Sequence, residues 1–173
     1  MSNRDKTRRE RYAEKRLSAK IYPVSIATIS FMHEENLAYV VRAAACFGAE
    51  HVYVIGSILD NRTLRKHSGS INTFINLSTF KNVYEFLEMT RREQIKLISL
   101  ELTDTSIPIQ EYTFDKNQRI CFVVGHEETG VPVDILINSD VIYIPMMSIG
   151  HCLNTAQTAN IALYEYVQRA QSE

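Results

Sequence analysis

Five short apolar runs constrain the fold of this chain more than any other feature of its sequence. They span residues 24–29, 51–55, 96–102, 119–124 and 141–146. The runs are nearly continuous in Val and Ile and do not alternate with polar residues, which is typical of strands covered on both faces. Such strands occur in parallel sheets with helices on either side. The sequence therefore predicts an α/β fold with a parallel sheet flanked by helices.

The segments between these runs carry the period of amphipathic helices. Residues 36–47 place their apolar side chains on one face, and Asn36 is predicted to be the N-cap of this helix. The same period predicts helices over residues 80–94 and 154–170, the second capped by Asn154, and a short helix over residues 132–138. Residues 59–77 are polar, and we expect them to form a loop with a short helix near residues 62–66.

Length and composition indicate one domain. A chain of 173 residues, 45% of them hydrophobic, buries a sufficient core without a metal or a disulfide. No apolar run approaches the roughly 18 residues of a membrane span, and the charged N-terminus lacks the apolar stretch of a secretory signal, so we expect a cytoplasmic protein. The three cysteines form no CxxC pattern and the histidines no HExxH pair, so no metal site is expected. Cys152 is predicted to be half-buried and structural.

The charge is unevenly distributed along the chain. Residues 1–20 hold eight Lys or Arg against three acidic residues, and residues 21–173 carry the balancing excess of acids, because the net charge of the whole chain is −1. We therefore divide the chain into a basic arm, residues 1–20, and a folded domain, residues 21–173. Such an arm is suited to a polyanion, although a solvated and partly helical tail explains the charge equally well.

Two loops are candidate ligand-binding loops, because ligands of open α/β sheets bind beyond the carboxyl ends of the strands. Residues 125–130 follow one predicted strand with a glycine at each end, and residues 147–153 follow another and lead into the last helix. Only a short connection separates them, so we expect the two loops to be neighbours. The chain has neither GxGxxG after a strand nor GxxxxGK[ST], so dinucleotide and triphosphate binding of those kinds are not indicated.

Three sequence blocks occur in a fixed order over about residues 24–170. They are NLAYVVR followed by FGA at residues 36–49, VGHEETG at residues 124–130, and IPM, LN and ANIALYE between residues 144 and 165. Together they resemble the SpoU (TrmH-type) branch of the SPOUT RNA methyltransferases. The resemblance implies a five- or six-stranded parallel sheet, a C-terminal trefoil knot, S-adenosylmethionine as cofactor and a homodimer.

The resemblance also implies roles for individual residues. The catalytic set consists of Asn36, Arg42, Glu127 and Asn154, with Arg42 acting on a ribose 2′-hydroxyl or its phosphate. Because a guanidinium stays protonated, electrostatic activation is the better interpretation than proton abstraction. Glu128 is expected to be only solvated. The residues expected to hold the cofactor are Val124, Gly125, Ile144, Met146, Cys152 and Leu153.

Three positions depart from the family pattern near these blocks. Cys152 stands where the family usually has Ser, Ala38 where it usually has Gly, and Ser148 where Gly is frequent. A thiol is the weaker hydrogen-bond donor, so the departure at Cys152 predicts a slow or specialised enzyme if the serine hydroxyl positions the target ribose, and no change if the backbone does. On the last helix, Ala156, Ala159 and Ala162 recur every three residues, which suits either a dimer interface or packing against the chain's own sheet.

The predicted function is methyl transfer from S-adenosylmethionine to a ribose 2′-hydroxyl of RNA, with tRNA preferred over rRNA. RNA phosphates would be bound by the basic residues Arg8, Arg9, Arg11, Arg62, Arg65 and Lys66. An alternative is a weak or inactive RNA-binding or assembly protein on the same fold. A flavodoxin-like small-molecule binder accounts for the parallel sheet but not for the ordered blocks.

Overall fold

A computed structural model describes residues 6–30, 32–58, 61–69, 71–150 and 152–171. The helices are α1 (Arg8–Leu17), α2 (Glu34–Phe47), α3 (Asn61–Ser68), α4 (Val83–Arg92), α5 (Val133–Leu136) and α6 (Thr155–Gln171). The strands are β1 (Tyr22–Ile29), β2 (Ala49–Ile55), β3 (Asn76–Phe80), β4 (Lys96–Leu100), β5 (Ile107–Pro108), β6 (Ile120–Val124) and β7 (Asp140–Tyr143).

The strands form one seven-stranded sheet in the order β3-β2-β1-β6-β4-β7-β5, and every pairing is parallel. Helices α2 and α6 pack on one face over a core that includes Ile26, Phe122 and Leu163. Helices α4 and α5 cover the other face around Phe86 and Ile135. The predicted parallel α/β architecture is confirmed, and all carboxyl ends of the strands meet at one edge of the sheet.

The sheet has more strands than the five apolar runs predict and than the family resemblance implies. The additional strands are β3, which reads Asn-Leu-Ser-Thr-Phe, and the two-residue β5. Strand β3 lies at the edge of the sheet and is only partly buried, so its sequence needs no apolar run. The prediction of a helix from residue 80 is also wrong at its start, because Phe80 ends β3 and Asn82 caps α4 by accepting from Glu85 N at 3.0 Å.

The basic arm contains a helix with its own start signal. Thr7 and Glu10 form a capping box, in which each side chain bonds the backbone of the other residue. The guanidinium of Arg16 lies 5.3 Å from the centre of the Phe74 ring, so this helix contacts the folded body. None of the described helices has the length and apolar character needed to cross a bilayer.

The small residues of α6 face the core of their own subunit. Ala156, Ala159 and Ala162 are each at most 3% exposed and pack with the sheet and α2. Packing against the chain's own sheet, one of the two explanations that the sequence left open, therefore accounts for them. The large apolar side chains that α2 and α6 expose are instead those of Tyr39, Ile161 and Tyr164.

Candidate active site

The loops after β4, β6 and β7 surround a cavity of about 310 Å³ at the carboxyl edge of the sheet. This volume is within the range of about 300–1,000 Å³ that small-molecule sites have. The loop at residues 125–130 and the segment after β7 both line it. The prediction that these two loops are neighbours is therefore confirmed. The cavity is lined by all six residues predicted to hold a cofactor: Val124, Gly125, Ile144, Met146, Cys152 and Leu153.

These six residues differ in burial. Val124 and Gly125 are buried, Ile144 and Leu153 are partly buried, and Met146 is 39% exposed. Cys152 is exposed, so its prediction as a half-buried structural cysteine is wrong. Its position in a loop just before α6, rather than in a strand, explains the exposure.

The loop at residues 125–130 is a tight turn of closely packed backbone. His126 and Gly130 exchange two backbone hydrogen bonds, each of 3.0 Å. A Cβ on Gly125 would overlap the Gly130 backbone, and Gly130 has a φ of +67°, which side chains rarely adopt. Both glycines are therefore required by the shape of the turn, and the turn brings main-chain atoms to the cavity wall.

Glu127 projects from this turn towards the start of α2. Its carboxylate accepts hydrogen bonds from Met32 N at 3.0 Å, His33 N at 3.3 Å and Asn36 Nδ2 at 2.6 Å. The side chain is 16% exposed. Burial alone would raise the pKa of the Glu127 carboxyl, but the hydrogen bonds outweigh it and lower this pKa below its usual value. Glu127 is therefore held as a carboxylate.

Asn36 connects Glu127 to Asn154. The side chain of Asn36 is buried, donates to Glu127 and accepts from Asn154 Nδ2 at 3.0 Å. Asn154 in turn accepts from Ala156 N at 2.8 Å, which confirms that it caps α6. The prediction that Asn36 caps α2 is wrong, because the helix begins at Glu34. Three of the four residues of the expected catalytic set thus form one chain of hydrogen bonds.

Arg42 does not line the cavity that Glu127 lines. It lines a groove of about 560 Å³ between α2 and α6, together with Asn36, Asn154 and Tyr39. The guanidinium is on an exposed residue and makes no hydrogen bond or ion pair within the part of the chain that the structure describes. The hydrogen-bond chain therefore joins the cavity, which Glu127 lines, to the groove, which contains Arg42.

The predicted RNA-binding residues lie on two helices. Arg62, Arg65 and Lys66 are exposed on α3, and Arg11 is exposed on α1. Arg8 and Arg9 begin α1, and their side chains lie outside what the structure describes. Glu128 is exposed, as expected for a solvated residue. Among the described residues, no group of three or more His, Cys, Asp or Glu is placed to hold a metal ion.

Glu101 is a cavity residue that the sequence patterns did not reveal. It follows β4 directly, and its carboxylate accepts from Leu102 N at 3.2 Å and Val131 N at 3.1 Å. The apolar run predicted a strand through residue 102, which placed Glu101 inside the strand. The available signal was the acidic residue itself, which interrupts the run one residue before its end.

Solved structures with the same fold include enzymes that modify RNA. An AdoMet-bound rRNA methyltransferase from Sinorhizobium meliloti has a TM-score of 0.78 at 20% identity, with 87% of this chain and 59% of that chain covered. The A. aeolicus TrmH/SpoU tRNA modifying enzyme has a TM-score of 0.78 at 19% identity, with 95% and 84% covered. A structure described as explaining 2-OH methylation of C/U34 on tRNA has a TM-score of 0.76 at 20% identity, with 87% and 97% covered.

At these identities the structural similarity shows the fold, and the chain spans less than two thirds of the Sinorhizobium protein. No curated protein matches the sequence. The sequence model of the SpoU rRNA Methylase family matches residues 23–164, which is most of the chain and includes the three sequence blocks as far as Tyr164. The chain therefore belongs to the SpoU rRNA methylase family.

Proposed function

We propose that this protein is an S-adenosylmethionine-dependent RNA methyltransferase that acts on a ribose 2′-hydroxyl of tRNA or rRNA. The observation that carries the proposal is the hydrogen-bond chain from Glu127 through Asn36 to Asn154. It connects a cavity of cofactor size to a groove that holds an exposed arginine, Arg42. A methyl-transfer site needs both spaces, one for the methyl donor and one for the nucleotide that receives the methyl group.

The cavity suits the proposed cofactor in shape and charge. Three carboxylates line it, those of Glu101, Glu127 and Glu128, and they favour a cationic ligand. The main chain around Gly125, Ile144 and Leu153 provides donors and acceptors for the adenosine part. When bound, S-adenosylmethionine supplies an electrophilic methyl group on its sulfonium.

Arg42 is placed to act on the RNA. The 2′-hydroxyl oxygen forms a bond to the methyl carbon as the carbon–sulfur bond breaks, and the hydroxyl proton leaves to solvent or to a phosphate. A guanidinium does not accept that proton at neutral pH. Arg42 instead stabilises the oxygen as its negative charge develops and binds the adjoining phosphate. Asn36, Glu127 and Asn154 fix the relative positions of α2, the turn and α6.

We further propose that RNA binds across the basic residues of α1 and α3 and that two copies assemble through α2 and α6. The second copy would cover the exposed Tyr39, Ile161 and Tyr164, which are 44%, 37% and 50% exposed. The preference for tRNA over rRNA stays a prediction. The trefoil knot and the cytoplasmic location stay predictions.

Transfer of labelled methyl groups tests the function. Purified protein is incubated with S-adenosylmethionine and unmodified tRNA or rRNA, and the RNA is then analysed for 2′-O-methylnucleosides. We expect such a product in one RNA pool. A protein that neither binds S-adenosylmethionine nor transfers its methyl group would contradict the enzymatic function. This result would favour the alternative of an inactive RNA-binding protein, which the departure of Cys152 from the family pattern also supports.

Arg42→Ala tests the role of the groove. We expect this variant to lose methyl transfer while its cofactor affinity stays within a few fold of that of the wild type, because Arg42 lies outside the cavity. Arg92→Ala is the matched control, since Arg92 is an exposed arginine on α4, on the opposite face of the sheet. Normal turnover by Arg42→Ala would remove this residue from the mechanism.

A further inference from the structure

Glu101 occupies a junction between two of the loops that form the cavity. Its backbone N–H donates to Ile142 O at 3.0 Å, and this hydrogen bond holds the backbone of Glu101 beside β7. Its side chain turns the other way and accepts from Leu102 N through Oε1 and from Val131 N through Oε2. One carboxylate thus bridges the loop after β4 and the end of the turn after β6.

The turn at residues 125–130 is held at two points by carboxylates. Glu127 attaches its middle to α2, and Glu101 attaches the residue directly after it, Val131, to the loop after β4. The fit at the second point is close, because a Cβ on Gly130 would lie 2.5 Å from Glu101 Oε2. Val131 is 4% exposed, so its N–H depends on Glu101 for a hydrogen-bond partner.

We infer that Glu101 is a positioning residue for the cofactor, whose carboxylate holds the turn at residues 125–130 against the loop after β4 and so fixes the shape of the cavity. The inference rests on the proposed function only through the identity of the cofactor. Without this acceptor the buried Val131 N–H is unpaired, and the turn moves to bring it to water. A mobile wall binds the cofactor less tightly, because ordering it opposes binding.

The experiment compares Glu101→Ala and Glu101→Gln with the wild type. Glu88→Gln is the control, since it removes the same charge from an exposed residue of α4 that does not line the cavity. Hydrogen exchange at the Val131 amide is measured without cofactor, and calorimetry gives the affinities for S-adenosylmethionine and for S-adenosylhomocysteine, which lacks the sulfonium charge. Circular dichroism establishes that each variant is folded.

In Glu101→Ala we expect the amide hydrogen of Val131 to exchange faster than in the wild type. We also expect this variant to bind both ligands about tenfold more weakly. Glu101→Gln has an intermediate effect, because its amide oxygen still accepts one of the two N–H groups, and it provides the test if the alanine variant does not fold. The control behaves as the wild type.

Unchanged exchange at Val131 or unchanged affinities would overturn the inference. A loss confined to S-adenosylmethionine would also overturn it, because the carboxylate would then act on the cofactor's charge rather than on the turn. If the wild-type protein binds neither ligand, the proposed function fails and the role towards the cofactor fails with it. Exchange at Val131 would then still show whether Glu101 holds the turn.

Discussion

Replacement of Glu127 by Gln should destabilise the protein in a pH-dependent way. The substitution keeps the size of the side chain but removes its charge and one of its two acceptor oxygens. If the amide oxygen stays with Asn36 Nδ2 and His33 N, the new NH₂ group faces the N–H of Met32, which loses its partner. The wild-type carboxylate accepts all three hydrogen bonds, so both a charge-assisted bond and the satisfaction of a donor are lost.

The magnitude follows from the number of bonds affected. A hydrogen bond to a charged group contributes about 1.5–3 kcal/mol, and one such bond is lost outright in Glu127→Gln. The free energy of unfolding should therefore fall by about 1.5–3 kcal/mol at pH 7. For a domain of this size the corresponding decrease in melting temperature is roughly 3–12 °C.

The dependence on pH distinguishes the charge from the shape of the side chain. Folding lowers the pKa of Glu127 from its ordinary value of 4.5, so the folded state favours the ionised form. The resulting stabilisation is fully present above pH 4.5 and is lost as the pH falls through the lower pKa of the folded protein. Gln does not titrate, so the difference between the two proteins should shrink below pH 4.5.

Urea denaturation of both proteins from pH 3 to pH 8 measures this difference. Glu128→Gln is the control, since it removes the same charge from the next residue, which is exposed, and it should change stability by less than about 0.5 kcal/mol. A difference between wild type and Glu127→Gln that stays constant from pH 8 to pH 3 would refute the argument, because the stabilisation would not then come from the ionised carboxylate.

Three further predictions concern the last helix, the β7 edge and the basic arm. Asn154→Ala should lower the free energy of unfolding by about 1–2 kcal/mol in urea denaturation, because α6 loses its cap and Asn36 a partner; Asn154→Asp keeps the cap and should lose less. Tyr112→Phe should cost about 1 kcal/mol, because the hydroxyl donates to Asp140 at 2.6 Å. Folding raises the pKa of Tyr112, so this difference should decrease above about pH 10. Deletion of residues 2–20 should weaken RNA binding and flatten its salt dependence in filter-binding titrations; an unchanged slope would exclude the arm from binding.

The sequence predicts the centre of the sheet better than its edges. Strands β1, β2, β4 and β6 are mostly buried, so burial favours apolar residues in each of them and an apolar run marks it. Strand β3 pairs on one side only and is half-exposed, and β5 contains two residues. Neither strand is buried enough to require a run of apolar residues, so the apolar pattern of the sequence does not predict them.

The sequence also predicts part of the site, because some of its features depend on local patterns and others on contacts between distant residues. Residues of the two loops could be placed at the cavity because the carboxyl ends of parallel strands meet at one edge. The hydrogen bonds that organise the site join residues 91 and 118 positions apart, and no local pattern contains them. The wrong prediction for Asn36 has this origin, since Glu127, distant in sequence, pairs with the N–H groups of Met32 and His33 before the start of α2.

The position of Asn36 explains why an amide is required there. Its Nδ2 donates to the carboxylate of Glu127, and its Oδ1 accepts from Asn154, so the residue must donate on one side and accept on the other. Asp at this position would set two carboxylates against each other, and Leu would remove one hydrogen bond from Glu127 and one from Asn154 at a position where Asn36 is 5% exposed. The junction between cavity and groove thus requires a side chain that donates on one side and accepts on the other, as an amide does.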